Sequence, residues 1–304
     1  MFMRDFLTIK NLSSNEIISL LDLASEMKRN PKRFSSKLKG KCIALLFQKT
    51  STRTRVSFES GMYQLGGNAI YLDWRTTNIQ LGALKDEIRC IDSYVDLIMA
   101  RVYEQKTLEI ISDASNVPVI NGLSDMYHPC QILADLMTIR EKFGNFENIS
   151  VSWVGDGNNV CNSLIIGCLK LNIPIIVATP KQYKPHSKVI EWVKNQKNNK
   201  LLRLTSDPKE AVRNANVIYT DTFVSLGQEE ETDTRLKIFL PKYQVNRELL
   251  NHAEKNPYIM HCLPAHRGQE ISDDVLDSDK SIVFQQAENR LHLQKALMLK
   301  ILKK

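Results

Sequence analysis

A chain of 304 residues with 43% apolar and 25% charged side chains has the make-up of a globular protein, and it is long enough for two domains with separate cores. No apolar run approaches the roughly 18 residues that a membrane-spanning helix needs, and Met1 to Lys10 lacks the apolar stretch of a signal peptide, so a cytoplasmic, membrane-free protein is expected. The net charge is +7, but the basic residues are scattered among acids without an arginine-rich arm or interleaved aromatics, which speaks against nucleic acid as a partner.

Ser13-Ser14-Asn15-Glu16 is a capping-box pattern ahead of an apolar-periodic helix that runs through Met27. Strands are predicted at 42–47, 69–72, 97–100 and 118–120, with helices near 54–65, 84–94, 107–115 and 129–142. After Gly144-Asn145 a second alternation begins. Its strands are predicted at 150–154, 174–178, 201–204, 217–219, 258–260 and 282–284, and its helices at 160–171, 186–197, 208–214, 244–253 and 287–302. Such alternation predicts an α/β protein of two doubly wound parallel-sheet domains, residues 1–134 and 135–285, with an interdomain cleft and a C-terminal helix at 286–304 returning to the first domain. Ligands of such sheets sit beyond the carboxyl ends of the strands, so the chemistry is expected in the loops that follow them.

Those loops hold the unusual residues. Phe47-Gln48-Lys49-Thr50-Ser51-Thr52-Arg53-Thr54-Arg55 joins a strand to a helix start, where free backbone N–H groups, the helix dipole, hydroxyls and arginines point to an anion. Arg101 follows a strand. His128-Pro129-Cys130-Gln131 opens a helix, with proline in the first turn and His128 pushed out of helical geometry. Gly155-Asp156-Gly157-Asn158-Asn159 resembles the start of a dinucleotide fingerprint but puts Val160 where a third glycine belongs, and the next strand lacks the acidic residue that binds a ribose. That disfavours a nicotinamide-dependent dehydrogenase. Asp221-Thr222-Phe223-Val224-Ser225-Leu226-Gly227 and His261-Cys262-Leu263-Pro264 each follow a strand, and Arg290 lies in the last helix. The six cysteines show no paired metal spacing and are expected to stay reduced.

Together, and in this order, Ser-Thr-Arg-Thr at 51–54, His-Pro-x-Gln at 128–131, Asp-Gly-Asn-Asn at 156–159, the loop from Asp221 to Gly227 and His-Cys-Leu-Pro at 261–264 resemble the ornithine carbamoyltransferases over nearly the whole chain. The resemblance implies a homotrimer with active sites at subunit interfaces and no metal or organic cofactor. It assigns carbamoyl phosphate to Ser51, Thr52, Arg53 and Thr54, its carbonyl and amide ends to Arg101, His128 and Gln131, and completion of that pocket to Cys262, the Leu263 backbone and Arg290. Gln80 matches a residue supplied by the neighbouring subunit. Asn159, Asp221, Ser225 and Leu226 match the positions that hold ornithine's α-amino and α-carboxyl groups. The sequence departs from the family in having Leu226 where methionine is usual, and in a shorter 80–87 segment without the usual Glu-Ser pair.

The chemistry expected of such a site is direct attack by a neutral amine. Arg101, His128 and Thr54 would stabilise the developing oxyanion while the phosphate group leaves. Asp221 is expected on the α-ammonium and Cys262 beside the δ-amine, since a carboxylate next to the reacting nitrogen would hold it protonated. Aspartate as acceptor would call for arginines where this chain has Asp221 and Cys262. Putrescine and N-acetylornithine are the remaining alternative amines.

Overall fold

The computed structural model describes residues 4–225 and 227–303, and the chain divides into two units, residues 1–137 with 288–304 and residues 138–287. In the first unit α1 (Ser14–Arg29) opens on the capping box: Ser13 accepts from the Glu16 backbone and Glu16 reaches back to the Ser13 N–H at 2.8 Å. There follow β1 (Cys42–Phe47), α2 (Thr52–Gln64), β2 (Asn68–Asp73), α3 (Leu84–Asp92), β3 (Leu97–Arg101), α4 (Gln105–Ala114), β4 (Val119–Leu123) and α5 (Pro129–Phe143). All four strands are parallel, in the order β2-β1-β3-β4. β3 and β4 are buried along their length, as strands covered on both faces must be, and β1 is buried from Ile43 onward.

The second unit builds β5 (Val151–Val154), α6 (Asn159–Lys170), β6 (Ile175–Ala178), α7 (Ser187–Lys194), β7 (Leu202–Thr205), α8 (Pro208–Val212), β8 (Val217–Thr220), α9 (Thr232–Phe239), α10 (Arg247–Leu250), β9 (Tyr258–His261) and α11 (Asp273–Leu276). Its five parallel strands run β7-β6-β5-β8-β9. A core of Val154, Ile218, Phe223, Phe239 and Ile259 lies on one face, with the Phe223 and Phe239 rings stacked at 4.5 Å. The final helix, α12 (Val283–Leu302), carries the chain from this unit back into the first.

The strand predicted at 282–284 does not form. Ser281 makes a single parallel bridge to Ile259, and Ile282 N donates to the Ile259 carbonyl, so the chain touches the sheet once. The Ile282 carbonyl then accepts from Gln286 and closes a helical turn. The last helix therefore starts at Val283, four residues before the predicted 287. Helix α9 falls in a stretch where no element was predicted, and the helix expected over 244–253 is confined to Arg247–Leu250.

Candidate active site

In each sheet the chain leaves a central strand in one direction and later returns to build outward in the other. These reversals lie between β1 and β3 in the first unit and between β5 and β8 in the second. At such a point the loops beyond the carboxyl ends diverge and leave a crevice that ligands use. The hydroxyl-rich loop follows β1 and Arg101 ends β3; the Asp156–Asn159 turn follows β5 and Asp221 follows β8.

In the first unit, Ser51 is the N-cap of α2 and accepts from the Thr54 N–H at 3.3 Å, which leaves the backbone N–H groups of the first turn facing outward. Arg53 is half-buried beside this turn, whereas Arg55 turns away, paired with Glu59 at 3.0 Å and stacked on Tyr71. The Arg101 carbonyl accepts from the backbone of Gln48 and Lys49, tying the end of β3 to that loop, and a register shift against β4 falls between Ala100 and Arg101. Such irregularities re-aim a side chain at a strand end. Arg290 comes from α12 and is 3% exposed. Its guanidinium donates to Gln131 Oε1, to Thr54 Oγ1 at 2.8 Å and to His128 Nε2 at 3.4 Å. Gln131 is held from its other end by Asp135 at 2.8 Å. Burial, reinforced by Arg290, Arg101, Arg53 and Lys49, holds His128 well below its ordinary pKa, so the imidazole is neutral at pH 7. The result is a buried, strongly cationic pocket whose neutral groups are already oriented, suited to an anion with a polarisable carbonyl.

In the second unit the glycines of the Asp156 turn have steric reasons. Gly155 sits at φ +135°, and a side chain on Gly157 would collide with the backbone of Tyr183, Lys184 and Pro185. Asn158 caps α6, accepting from Val160 and Cys161, while its amide donates to Asp221 Oδ2 at 2.8 Å. Cys262 Sγ donates to the other oxygen of the same carboxylate at 3.0 Å. Asp156 is paired with the buried Arg235 of α9. Arg235 also donates to the Phe223 carbonyl at 2.6 Å and lies over the Tyr183 ring at 4.4 Å. Burial outweighs that ion pair, and with the Asp221 charge added it pushes the Asp156 carboxyl up to about 7.

Thr54, His128, Gln131 and Arg290 thus form one hydrogen-bonded group, and Asp221, Asn158 and Cys262 form another. Gln80 stands apart, exposed at the end of a 3-10 turn. Asn159 is half-buried in the first turn of α6; Ser225 donates through its backbone to Gln228 at 3.0 Å; Leu226 lies outside the described residues. Asn158 donates to Asp221, and Asn159, the residue expected to hold ornithine, lies next to it in the first turn of α6. The sequence marked Asp156 only as part of the Asp-Gly-Asn-Asn stretch, and it did not single out its partner Arg235 or Glu270. Asp221, His261 and Cys262 gather three ligand-type atoms within 4.8 Å, but both His261 nitrogens are engaged, Nδ1 by the Leu263 N–H at 2.8 Å and Nε2 by Glu270 at 3.0 Å.

Two family profiles match the chain: the carbamoyl-P binding domain of aspartate/ornithine carbamoyltransferase over residues 4–141, and its Asp/Orn binding domain over residues 147–301. The ornithine carbamoyltransferase of Thermococcus kodakarensis is 48% identical over 303 residues, covering 97% of this chain and 95% of that protein. The relative from Pyrococcus furiosus named "Ornithine carbamoyltransferase, anabolic" is also 48% identical over 303 residues, with the same coverage of both chains. A solved structure of the Pyrococcus furiosus ornithine carbamoyltransferase superimposes with a TM-score of 0.91, covering 97% of this chain and 96% of that one.

Proposed function

The chain belongs to the aspartate/ornithine carbamoyltransferase family, and on that footing we propose that its two hydrogen-bonded clusters serve the two substrates of one reaction. The protein transfers the carbamoyl group of carbamoyl phosphate to the δ-amine of L-ornithine, giving L-citrulline and phosphate. Residues 1–134 with 286–304 bind the donor and residues 135–285 bind ornithine. Backbone N–H groups of the α2 start, with Ser51, Thr52 and Arg53, take the phosphate, and Arg101, His128 and Thr54 take the carbonyl oxygen. A neutral His128 donates a hydrogen bond without surrendering a proton, and Thr54 Oγ1, accepting from Arg290, has its own proton left to donate.

The δ-nitrogen attacks the carbonyl carbon, the C–O bond to phosphorus breaks, and phosphate leaves with the bonding pair. The nitrogen loses one proton on the way, and the departing phosphate can accept it. Freeing a lysine-like ammonium at pH 7 costs roughly 4–5 kcal/mol. Asp221 therefore serves ornithine's α-ammonium, with Ser225 and Asn159 or Asn158 beside it. Cys262, whose thiol proton is already directed at Asp221, offers sulfur lone pairs to the δ-amine.

The observation that carries ornithine over aspartate is the Asp221–Asn158–Cys262 cluster. It presents a carboxylate where a dicarboxylate substrate would need cations, and the neighbouring Arg235 is committed to Asp156. Exposed Tyr63 of α2 and Ile70 of the edge strand β2, with Leu81 82% exposed beside Gln80, support a homotrimer in which Gln80 reaches a neighbour's pocket. The anabolic name of a relative supports a place in arginine biosynthesis, and six free cysteines suit the reducing cytoplasm. Purified protein given carbamoyl phosphate with ornithine, putrescine, N-acetylornithine or aspartate should form ureido product efficiently with ornithine alone; faster turnover of any other acceptor refutes the assignment.

A further inference from the structure

Behind Cys262 lies a second, wholly buried layer. His261 and Glu270 are both 0% exposed, and their side chains meet at 3.0 Å. The Leu263 N–H donates to His261 Nδ1 at 2.8 Å, so that nitrogen carries no proton. The remaining proton of a neutral imidazole is therefore on Nε2 and points at Glu270 Oε1. The same carboxylate oxygen accepts from the His266 N–H at 2.5 Å, and the His266 ring contacts Thr222, next to Asp221, at 3.0 Å. Glu270 Oε2 lies 3.7 Å from His266 Nδ1 and has no hydrogen-bond partner among the described residues. Leu263, between the thiol and these contacts, sits at φ +59°, which a side chain with a β-carbon disfavours. A residue persists there only when its surroundings over-determine it.

We propose that Glu270 and His261 are positioning residues for carbamoyl transfer: Glu270 fixes the imidazole tautomer, the imidazole holds the Leu263 N–H, and the turn so held aims the Cys262 thiol at Asp221 and the Leu263 carbonyl at the carbamoyl group. Carboxylate–imidazole pairs fix tautomers in this way in other sites. A buried carboxylate is costly to keep, and here its partners are the two backbone turns that carry the acceptor site. The proposal rests on the carbamoyltransferase assignment for its effect on rate, but not for its effect on the thiol.

The test is a double-mutant cycle on the intact protein. Glu270→Leu removes the acceptor, Glu270→Gln keeps a carbonyl oxygen in its place, and His261→Asn lets an amide oxygen accept from the Leu263 N–H without help from Glu270. Glu270→Leu should lower kcat by about 100-fold, the scale of a misplaced catalytic group. The KM for carbamoyl phosphate should stay within about threefold, and Glu270→Gln should recover most of the loss. Alkylation of Cys262, followed by peptide mass spectrometry against the exposed Cys90, should speed up several-fold as the thiol leaves the carboxylate. In the His261→Asn background the Glu270→Leu change should add little. Equal losses in both backgrounds, or unchanged Cys262 alkylation, overturn the proposal. If Glu270→Leu alone fails to fold, the double variant decides: it folds and turns over if Glu270 works through the imidazole, and fails likewise if Glu270 is only a packing element. A wild-type protein inactive with ornithine removes the enzymatic assignment, while the alkylation rates still report on the turn.

Discussion

Arg290 does more than supply charge. Its buried guanidinium gives a donor to each of Gln131, Thr54 and His128, and its field helps keep His128 neutral. Replacing it with methionine would leave the Gln131 oxygen short of a donor, at about 1–3 kcal/mol for a buried group, while Thr54 Oγ1 keeps the Ser51 hydroxyl at 3.2 Å and the repulsion with Arg101 and Arg53 is relieved. Stability should thus fall only modestly, whereas kcat/KM should fall on the order of 100- to 1000-fold, the range seen when an oxyanion donor is lost. Thermal unfolding with and without inorganic phosphate separates the two effects: wild type should be stabilised by phosphate and Arg290→Met should not. Equal stabilisation of both proteins would remove Arg290 from the anion site. A lysine in its place should also fail, since a point charge cannot satisfy three partners arranged as a fork.

Among the elements, α2 shows how one feature serves two purposes. The Ser51 cap satisfies an orphan N–H of the helix start and at the same time orders the turn whose other N–H groups take the phosphate in the function proposed above. The Ser13 capping box of α1 has only the first purpose. Ser51→Ala and Ser13→Ala should therefore each cost about 1 kcal/mol of stability. Only Ser51→Ala should also raise the KM for carbamoyl phosphate, as initial rates will show. How much of the elements could be read from the sequence follows from what holds them. β1, β3, β5 and β8 are short apolar runs bounded by polar loops, and the loops after them stand out by composition alone. Helix α9 was invisible because TDTRLKIF buries only Arg235 and Phe239, too few apolar contacts to make a periodic signal. The run at 282–284 misled because three apolar residues have no period, and a strand and a buried helix start look alike. The site residues that escaped were those defined by pairing rather than by type: Arg235 with Asp156 across 79 positions, and Glu270 with His261. Nothing local marks an arginine as already neutralised.

At the scale of the molecule the two units should respond oppositely to acid. His128 and His292 both have lowered pKa values, each chiefly through burial, so the folded first unit resists binding protons that its unfolded chain accepts. Their contribution is present above the unfolded histidine value of about 6.5 and is lost as pH falls below it, at about 1.4 kcal/mol per pH unit for each fully depressed group. Asp156 runs the other way. With its carboxyl at about 7 when folded and about 3.9 when unfolded, its protonated form adds stability that is complete below pH 4 and is lost as pH rises to 7. Hydrogen exchange corrected for intrinsic rates should show the first unit opening more readily at pH 5 than at pH 8 and the second less readily. His128→Gln should flatten the first trend and Asp156→Asn the second; parallel trends that neither variant alters would contradict these assignments.

Because α12 contributes Arg290 to a hydrogen-bonded group whose other members, Thr54, His128 and Gln131, precede residue 137, that group cannot be finished while the ribosome is still making the middle of the chain. Roughly 150 further residues must emerge, which at about 5–20 residues per second takes on the order of ten seconds or more. Until then the nascent first sheet has the hydroxyl loop and Arg101 but not the arginine that donates to Thr54 and Gln131. A ribosome that stalls or a transcript that ends early therefore releases a chain whose Thr54 and Gln131 lack their arginine, and under the proposed function full-length synthesis becomes a condition for gripping the labile acyl phosphate.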